Sequence, residues 1–247
     1  MKTILPSLSI IVMLANTLTY SLTGEEILSK IDINREYKTI KYTGTMEIHV
    51  DDKVRIKNLT VEAMDGEKTK AIVEFTNPED EGTKYLMLEK NLWIYFPEEN
   101  DVVKISGHML KEGMMGSDVS YEDALESDKL SEKYKITLTG EEKVKEQNCY
   151  VITLDAKVKD VPYYKRKMWV TKDSFVALKE EMYAKSGKLL KVSNVLETKK
   201  IGGRQIATKV EMVNKLRKNS KTVFTMKDIV FDKPMDEGKF SMRYLRK

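Results

Sequence analysis

Cysteine is all but missing from this chain: Cys149 is the single one among 247 residues. No intramolecular disulfide can form, and a lone thiol beside Tyr150, Val151 and Ile152 reads as a small buried strand residue with no disulfide-linked partner. No cysteine lies near the N-terminus, which excludes the acylated N-terminal cysteine of a lipoprotein. Histidine is almost as scarce. His49 and His108 have no second histidine or cysteine at ligand spacing, so a metal site is not expected. The chain also lacks a P-loop, a dinucleotide fingerprint and a G-x-S-x-G elbow, so no cofactor is implied. Ser106 and Ser117 stand near His108 without the context a nucleophile needs. Acidic clusters such as Glu79-Asp80-Glu81 and Glu122-Asp123 fall in turns or on a helix, where solvation accounts for them. No catalytic residue emerges, and the chain is expected not to be an enzyme.

Long apolar runs are missing too. The one candidate lies at the N-terminus, where Lys2 precedes Ile4, Leu5, Leu8 and the run Ile10 to Ala15. That is shorter than the roughly 20 residues a spanning helix needs. Its layout predicts a cleaved secretory signal over residues 1–23 and an exported, periplasmic protein. Charge of one sign is not in excess: 43 basic against 39 acidic residues give a net +4, with 33% of residues charged. Signs are interspersed along the chain, which reads as a solvated surface with no nucleic-acid partner. Residues 24–247 contain no linker and are expected to form one domain.

What is present is period-two alternation. A first segment, with Glu25 and Glu26 early and Ile27, Leu28 and Ile31 at helical spacing, predicts a helix. Beyond Ile40, five or six strands are expected up to Ile105, and about seven more from Tyr134 to Phe231. Thr83–Glu89 and Leu92–Phe96 are apolar on both faces, which places them at the centre of the fold or the floor of a pocket. A sheet of this size is expected to curl.

Residues 106–132 break the rhythm. Glycine punctuates a loop holding Met109, Met114 and Met115, and Asp118 or Ser120 is placed to cap a short helix from Tyr121. A long loop inside a compact domain is commonly a lid or a binding element. Methionine is soft and adaptable, so this cluster, with the Trp93–Phe96 strand, predicts a greasy cavity under a mobile cover. Lys165-Arg166-Lys167 and Lys215-Leu216-Arg217-Lys218 read as wet faces of strands or hairpins.

Several stretches carry a family resemblance. Asn91-Leu92-Trp93-Ile94-Tyr95-Phe96-Pro97, Val103-Lys104-Ile105 and Met115-Gly116-Ser117-Asp118-Val119-Ser120-Tyr121-Glu122-Asp123 resemble the bacterial outer-membrane lipoprotein-sorting family, whose carriers are LolA-like. So do Lys167–Lys172, Met182–Lys188 and Phe240–Leu245. The resemblance implies a mainly β fold: an incomplete, strongly curved antiparallel β-barrel with an N-terminal helix and a helical or loop lid over its open face. It implies a periplasmic carrier that shields the acyl chains of lipids or lipoproteins between an inner-membrane donor and an outer-membrane acceptor. The residues expected to line cavity and lid are Met87, Trp93, Tyr95, Met109, Met114, Met115, Tyr121, Met168, Trp169 and Met182. In that family an arginine latches the lid, but neither Arg35 nor Arg55 aligns with it, so the latch is not carried over. A sensor of envelope lipoprotein homeostasis on the same fold is the alternative. An outer-membrane barrel is disfavoured by charged outer faces and the Arg246-Lys247 end.

Overall fold

The computed structural model describes residues 22–66, 69–126 and 129–247. The expected signal segment lies, through residue 21, outside the described residues. In chain order the elements are α1 (Gly24–Arg35), β1 (Thr39–Val50), β2 (Lys53–Met64), β3 (Lys70–Phe75), β4 (Lys84–Leu88), β5 (Asn91–Phe96) and β6 (Asp101–Ile105). The short helices α2 (Tyr121–Ala124) and α3 (Leu130–Lys133) precede β7 (Tyr134–Val144), β8 (Gln147–Ala156), β9 (Lys165–Thr171) and β10 (Ala177–Tyr183). β11 (Leu189–Ile201), β12 (Arg204–Asn214), β13 (Ser220–Phe231) and α4 (Met242–Leu245) complete the chain.

All the strands join one antiparallel sheet of 13, in the order β6-β5-β4-β3-β2-β1-β13-β12-β11-β10-β9-β8-β7. Every sequential neighbour forms a hairpin except β6 and β7, which sit at opposite edges. This corrects the expectation of an incomplete, strongly curved barrel. The sheet is open, and β6 and β7 at its two ends do not pair. Size alone does not force closure, because the edges are protected in other ways. β6 is only five residues long with Asp101 and Lys104 exposed, and the far part of β7 carries exposed Glu141, Glu142 and Lys143. The β1–β2 hairpin shows how tightly register is set. It pairs without a break from Thr39↔Met64 to Val50↔Lys53, turning at Asp51, whose φ of 51° an aspartate tolerates.

Because β6 and β7 are consecutive in sequence but far apart in the sheet, residues 106–133 must cross the sheet face to connect them. This crossing segment covers β1–β6. The N-terminal helix covers the other end of the same face. Thr23 and Glu26 form a capping box, with Thr23 Oγ1 accepting from the Glu26 amide at 3.2 Å and Glu26 Oε2 accepting from the Thr23 amide at 2.7 Å. That fixes the helix start so that Ile27, Leu28 and Ile31 bury against Tyr134, Ile136, Ile152, Leu154, Met168 and Val170. β4 and β5 are covered on both sides, as their sequence implies, but they lie next to an edge and not at the centre. Leu92 and Ile94 face the crossing segment, while Leu86 and Tyr95 pack with Phe240 and Leu245 of the C-terminal turn and helix.

Candidate functional site

The crossing segment is built in two chemically different halves. Its first half is a run of 3-10 turns through Gly107–Lys111 and Met114–Gly116. Met109, Leu110, Met114 and Met115, with Tyr121 and Leu125 further on, pack on a floor that includes Met46, Ile48, Leu59, Val73, Phe75, Leu92, Ile94 and Ile105. The covering side chains are half-buried, whereas the floor is almost fully buried.

Local backbone geometry makes this run possible. Met115 and Gly116 both have positive φ, 54° and 76°, turning the chain so that methionines point down to the sheet. A Cβ on Gly113 would meet the Ser117 carbonyl oxygen at 2.0 Å, so only glycine fits there. At the tip, Arg217 Nη1 donates to the carbonyls of Gly116 (3.1 Å) and Ser117 (3.0 Å). Arg55 lies against Gly116 from the β2 side. The arginine that holds this tip therefore comes from the β12–β13 turn. Arg35 makes no such contact: it lies in the last turn of α1.

The second half is anchored by polar groups. Asp118 is 1% exposed, and its carboxylate accepts from Ser220 Oγ at 2.7 and 2.8 Å, from Thr222 Oγ1 at 2.9 Å and from the Asn214 amide at 3.3 Å. Its own amide donates back to Thr222 Oγ1 at 2.9 Å. Ser120 caps α2 in a box with Asp123. Asp123 then pairs with the buried Lys191 ammonium and accepts from Tyr163 Oη at 2.5 Å. Burial pushes the Asp123 carboxyl up, but Lys191 and the hydrogen bonds from Lys191, Tyr163 and Ser120 outweigh it and hold it below its ordinary value of 3.8. The Tyr163 hydroxyl is pushed up, first by burial and then by that carboxylate.

Arg166, on β9, is buried as well, at 4% exposed. Its Nη2 donates to both oxygens of Glu126 at 2.5 and 2.6 Å, and its Nη1 to Glu180 at 3.1 Å. The guanidinium stacks between the rings of Tyr134 and Tyr163, 5.6 and 5.2 Å from their centroids. Burial works against its charge, but Glu180 and Glu126 more than compensate, so it stays protonated. The expectation that Lys165-Arg166-Lys167 is a wet strand face fails at its middle residue. Arg166 is in phase with Met168 and Val170, and a cation in phase with core residues is the signal that marks it. Asp118, Lys191 and Arg217 carry no comparable sequence signal, since their roles depend on pairings about 70 to 100 residues apart.

The residues expected to line a cavity divide accordingly. Met87, Met109, Met114, Met115 and Tyr121 meet in the cluster beneath the crossing segment. Met182 shares that face further along, opposite Arg166 in the pairing of β9 and β10. Met168 lies under α1. Trp93 and Tyr95 point through the sheet to the C-terminal helix. Trp169 faces away from Met168, with its indole N–H on Glu142 at 2.7 Å and Lys167 and Lys179 over its ring. A cleft of about 260 Å³ opens beside the polar half, lined by Lys111, Ser117, Asp118, Lys191 and Arg217 among others. Among the described residues, no three His, Cys, Asp or Glu side chains gather to hold a metal.

Comparison with known proteins gives the same architecture. A DUF1329 family protein from Desulfovibrio piger is 26% identical, covers 90% of this chain and 97% of its own, and superposes with a TM-score of 0.84. A Vibrio parahaemolyticus domain assigned to outer membrane lipoprotein sorting is 23% identical, with 91% and 98% coverage and a TM-score of 0.80. A LolA superfamily protein from Nitrosomonas europaea is 23% identical, with 91% and 100% coverage and a TM-score of 0.73. No curated protein matches the chain. The chain shares its fold with these proteins, and it belongs to the family whose model, described as "uncharacterized protein", matches residues 67–247.

Proposed function

We propose that the protein is a periplasmic carrier that shields acyl chains of lipids or lipoproteins between the sheet face of β1–β6 and the crossing segment, which serves as its lid. The observation that carries this reading is the lid's underside: Met109, Met114 and Met115 rest on an apolar floor as half-buried, adaptable side chains. Hydrocarbon can replace such contacts at little net cost, because no directional bond is lost. Burial of each methylene contributes about 0.8 kcal/mol, so a long acyl chain on this floor offsets the displaced methionines. The Vibrio domain of the same fold, with its lipoprotein-sorting assignment, supports the same reading. On this reading an inner-membrane donor loads the carrier, an outer-membrane acceptor unloads it, and residues 1–23 direct export.

The test is native mass spectrometry of protein purified from a Gram-negative periplasm, paired with titration of a fluorescent fatty acid. A co-purified lipid and saturable binding displaced by unlabelled fatty acid are the expected results. An empty protein that also fails to bind the probe contradicts the reading.

A further inference from the structure

The hairpin turns at one rim of the sheet sort by charge. Strand register puts these turns together: Val50 pairs with both Lys53 and Ser220, Lys165 with both Asp155 and Tyr183, and Tyr183 also with Leu189. Towards β6, the turns at 51–52, 76–83 and 97–100 carry aspartates and glutamates and no cation of their own, with Lys57 of β2 pairing with Glu79 and Asp80. Towards β8, the turn at 157–164 carries Lys157 and Lys159 with one carboxylate, Asp160. The turn at 184–188 adds Lys185 and Lys188, and the turn at 215–219 adds Lys215, Arg217 and Lys218, with no carboxylate in either. The three basic turns are contiguous. Lys185 lies over the Tyr164 ring at 5.7 Å, and the Lys215 amide donates to the Leu190 carbonyl at 2.8 Å. Charges that look evenly mixed along the sequence are therefore segregated along this rim.

Two of the basic turns also expose a large apolar side chain at their tips. Leu216 is 57% exposed between Lys215 and Arg217, and Val158 is 43% exposed between Lys157 and Lys159. An apolar tip flanked by long cationic side chains suits a bilayer interface. The tip enters the headgroup–acyl boundary, while the lysines extend their charges to lipid phosphates.

We infer that this basic half-rim is a docking surface for an anionic phospholipid bilayer. The acidic half-rim is repelled by the same surface, so the molecule docks tilted, with Leu216 and Val158 leading. This goes beyond the carrier reading and needs no cargo. If the carrier reading also holds, docking brings the lid tip at Gly116–Ser117 to the membrane, since Arg217 belongs to both.

The experiment is co-sedimentation of the purified protein with two kinds of vesicle, phosphatidylcholine alone and phosphatidylcholine with about one quarter phosphatidylglycerol. The expected result is binding to the anionic vesicles only, weakening as salt shortens the screening length to about 8 Å at physiological strength. Each basic residue near such a surface contributes about fivefold, so Lys215→Glu with Lys218→Glu should weaken binding at least about twentyfold. Leu216→Ala with Val158→Ala should weaken it several-fold and leave the salt slope unchanged. Glu98→Lys with Glu99→Lys on the acidic half should not weaken it. Equal binding to both vesicles, no binding to either, or no loss in the lysine variant would overturn the inference. An acidic protein as the true partner would show up as no vesicle binding at all. Unchanged melting temperatures exclude misfolding, and fatty-acid titration of the same samples separates a failure of docking from a failure of the carrier reading.

Discussion

The two halves of the crossing segment are held by different physics. Residues 109–115 lie on the sheet through methionine and leucine side chains, whose contacts are numerous, weak and non-directional. Residues 118–126 are fixed by Asp118, Asp123 and Glu126, each bound to partners on β9, β11 or β13 through short, charge-assisted hydrogen bonds. The first half can exchange its contacts for those of another apolar body without leaving a buried polar group unpaired. The second half cannot. On the proposed carrier reading, the methionine half is the part that moves and the carboxylate half is the hinge, with Arg217 at the junction.

The largest effect should come from Arg166. Arg166→Met leaves Glu126 and Glu180 facing each other without their cation, and a loss of ~3–5 kcal/mol is expected in urea unfolding. Adding Glu126→Gln and Glu180→Gln to that variant should restore much of the loss, because the uncompensated charges are then gone. Asp118→Ala comes next. It strands the hydroxyls of Ser220 and Thr222, which should cost about 2 kcal/mol and speed proteolysis within residues 107–116.

How much of this was legible in the sequence divides along the same line. Alternation places the strands on either side of the crossing segment, and the glycine-punctuated methionines mark its apolar half. The sequence offers Asp118 or Ser120 as the cap before Tyr121, and the structure gives that role to Ser120. The hinge was not readable, because Asp118 meets Ser220 and Lys191 meets Asp123 only once the strand order is known. The open sheet is not legible in the sequence for a related reason. Whether a large sheet closes depends on what its edge strands meet, and β6 and β7 meet a short stop and a row of charges instead of each other. The sequence groups Trp93 and Tyr95 with the pocket because a strand that is apolar on both faces does not reveal which cover lies on which side. The C-terminal helix is the second cover.

Smaller perturbations should separate the halves further. Met114→Ala with Met115→Ala removes half-buried contacts, so about 1 kcal/mol of stability is expected to be lost for each. Fatty-acid binding should tighten several-fold in the same variant, since the lid competes less well for the floor; weaker binding would place the methionines among the ligand's own contacts. The pH response should be the smallest near neutrality. The Asp123 carboxyl is held below 3.8, so its anchoring is complete above that value and disappears as pH falls through the depressed one. Melting temperature should therefore be flat from pH 7 to about 5 and fall at more acid pH, and Asp123→Asn should flatten part of that fall.

Hydrogen exchange of the crossing segment, with and without a long-chain fatty acid, tests the division of labour most directly. With the ligand bound, amides of residues 109–116 should exchange faster while those of 118–126 keep their protection. Loss of protection in both halves together, or in neither, would contradict a methionine lid turning on a carboxylate hinge.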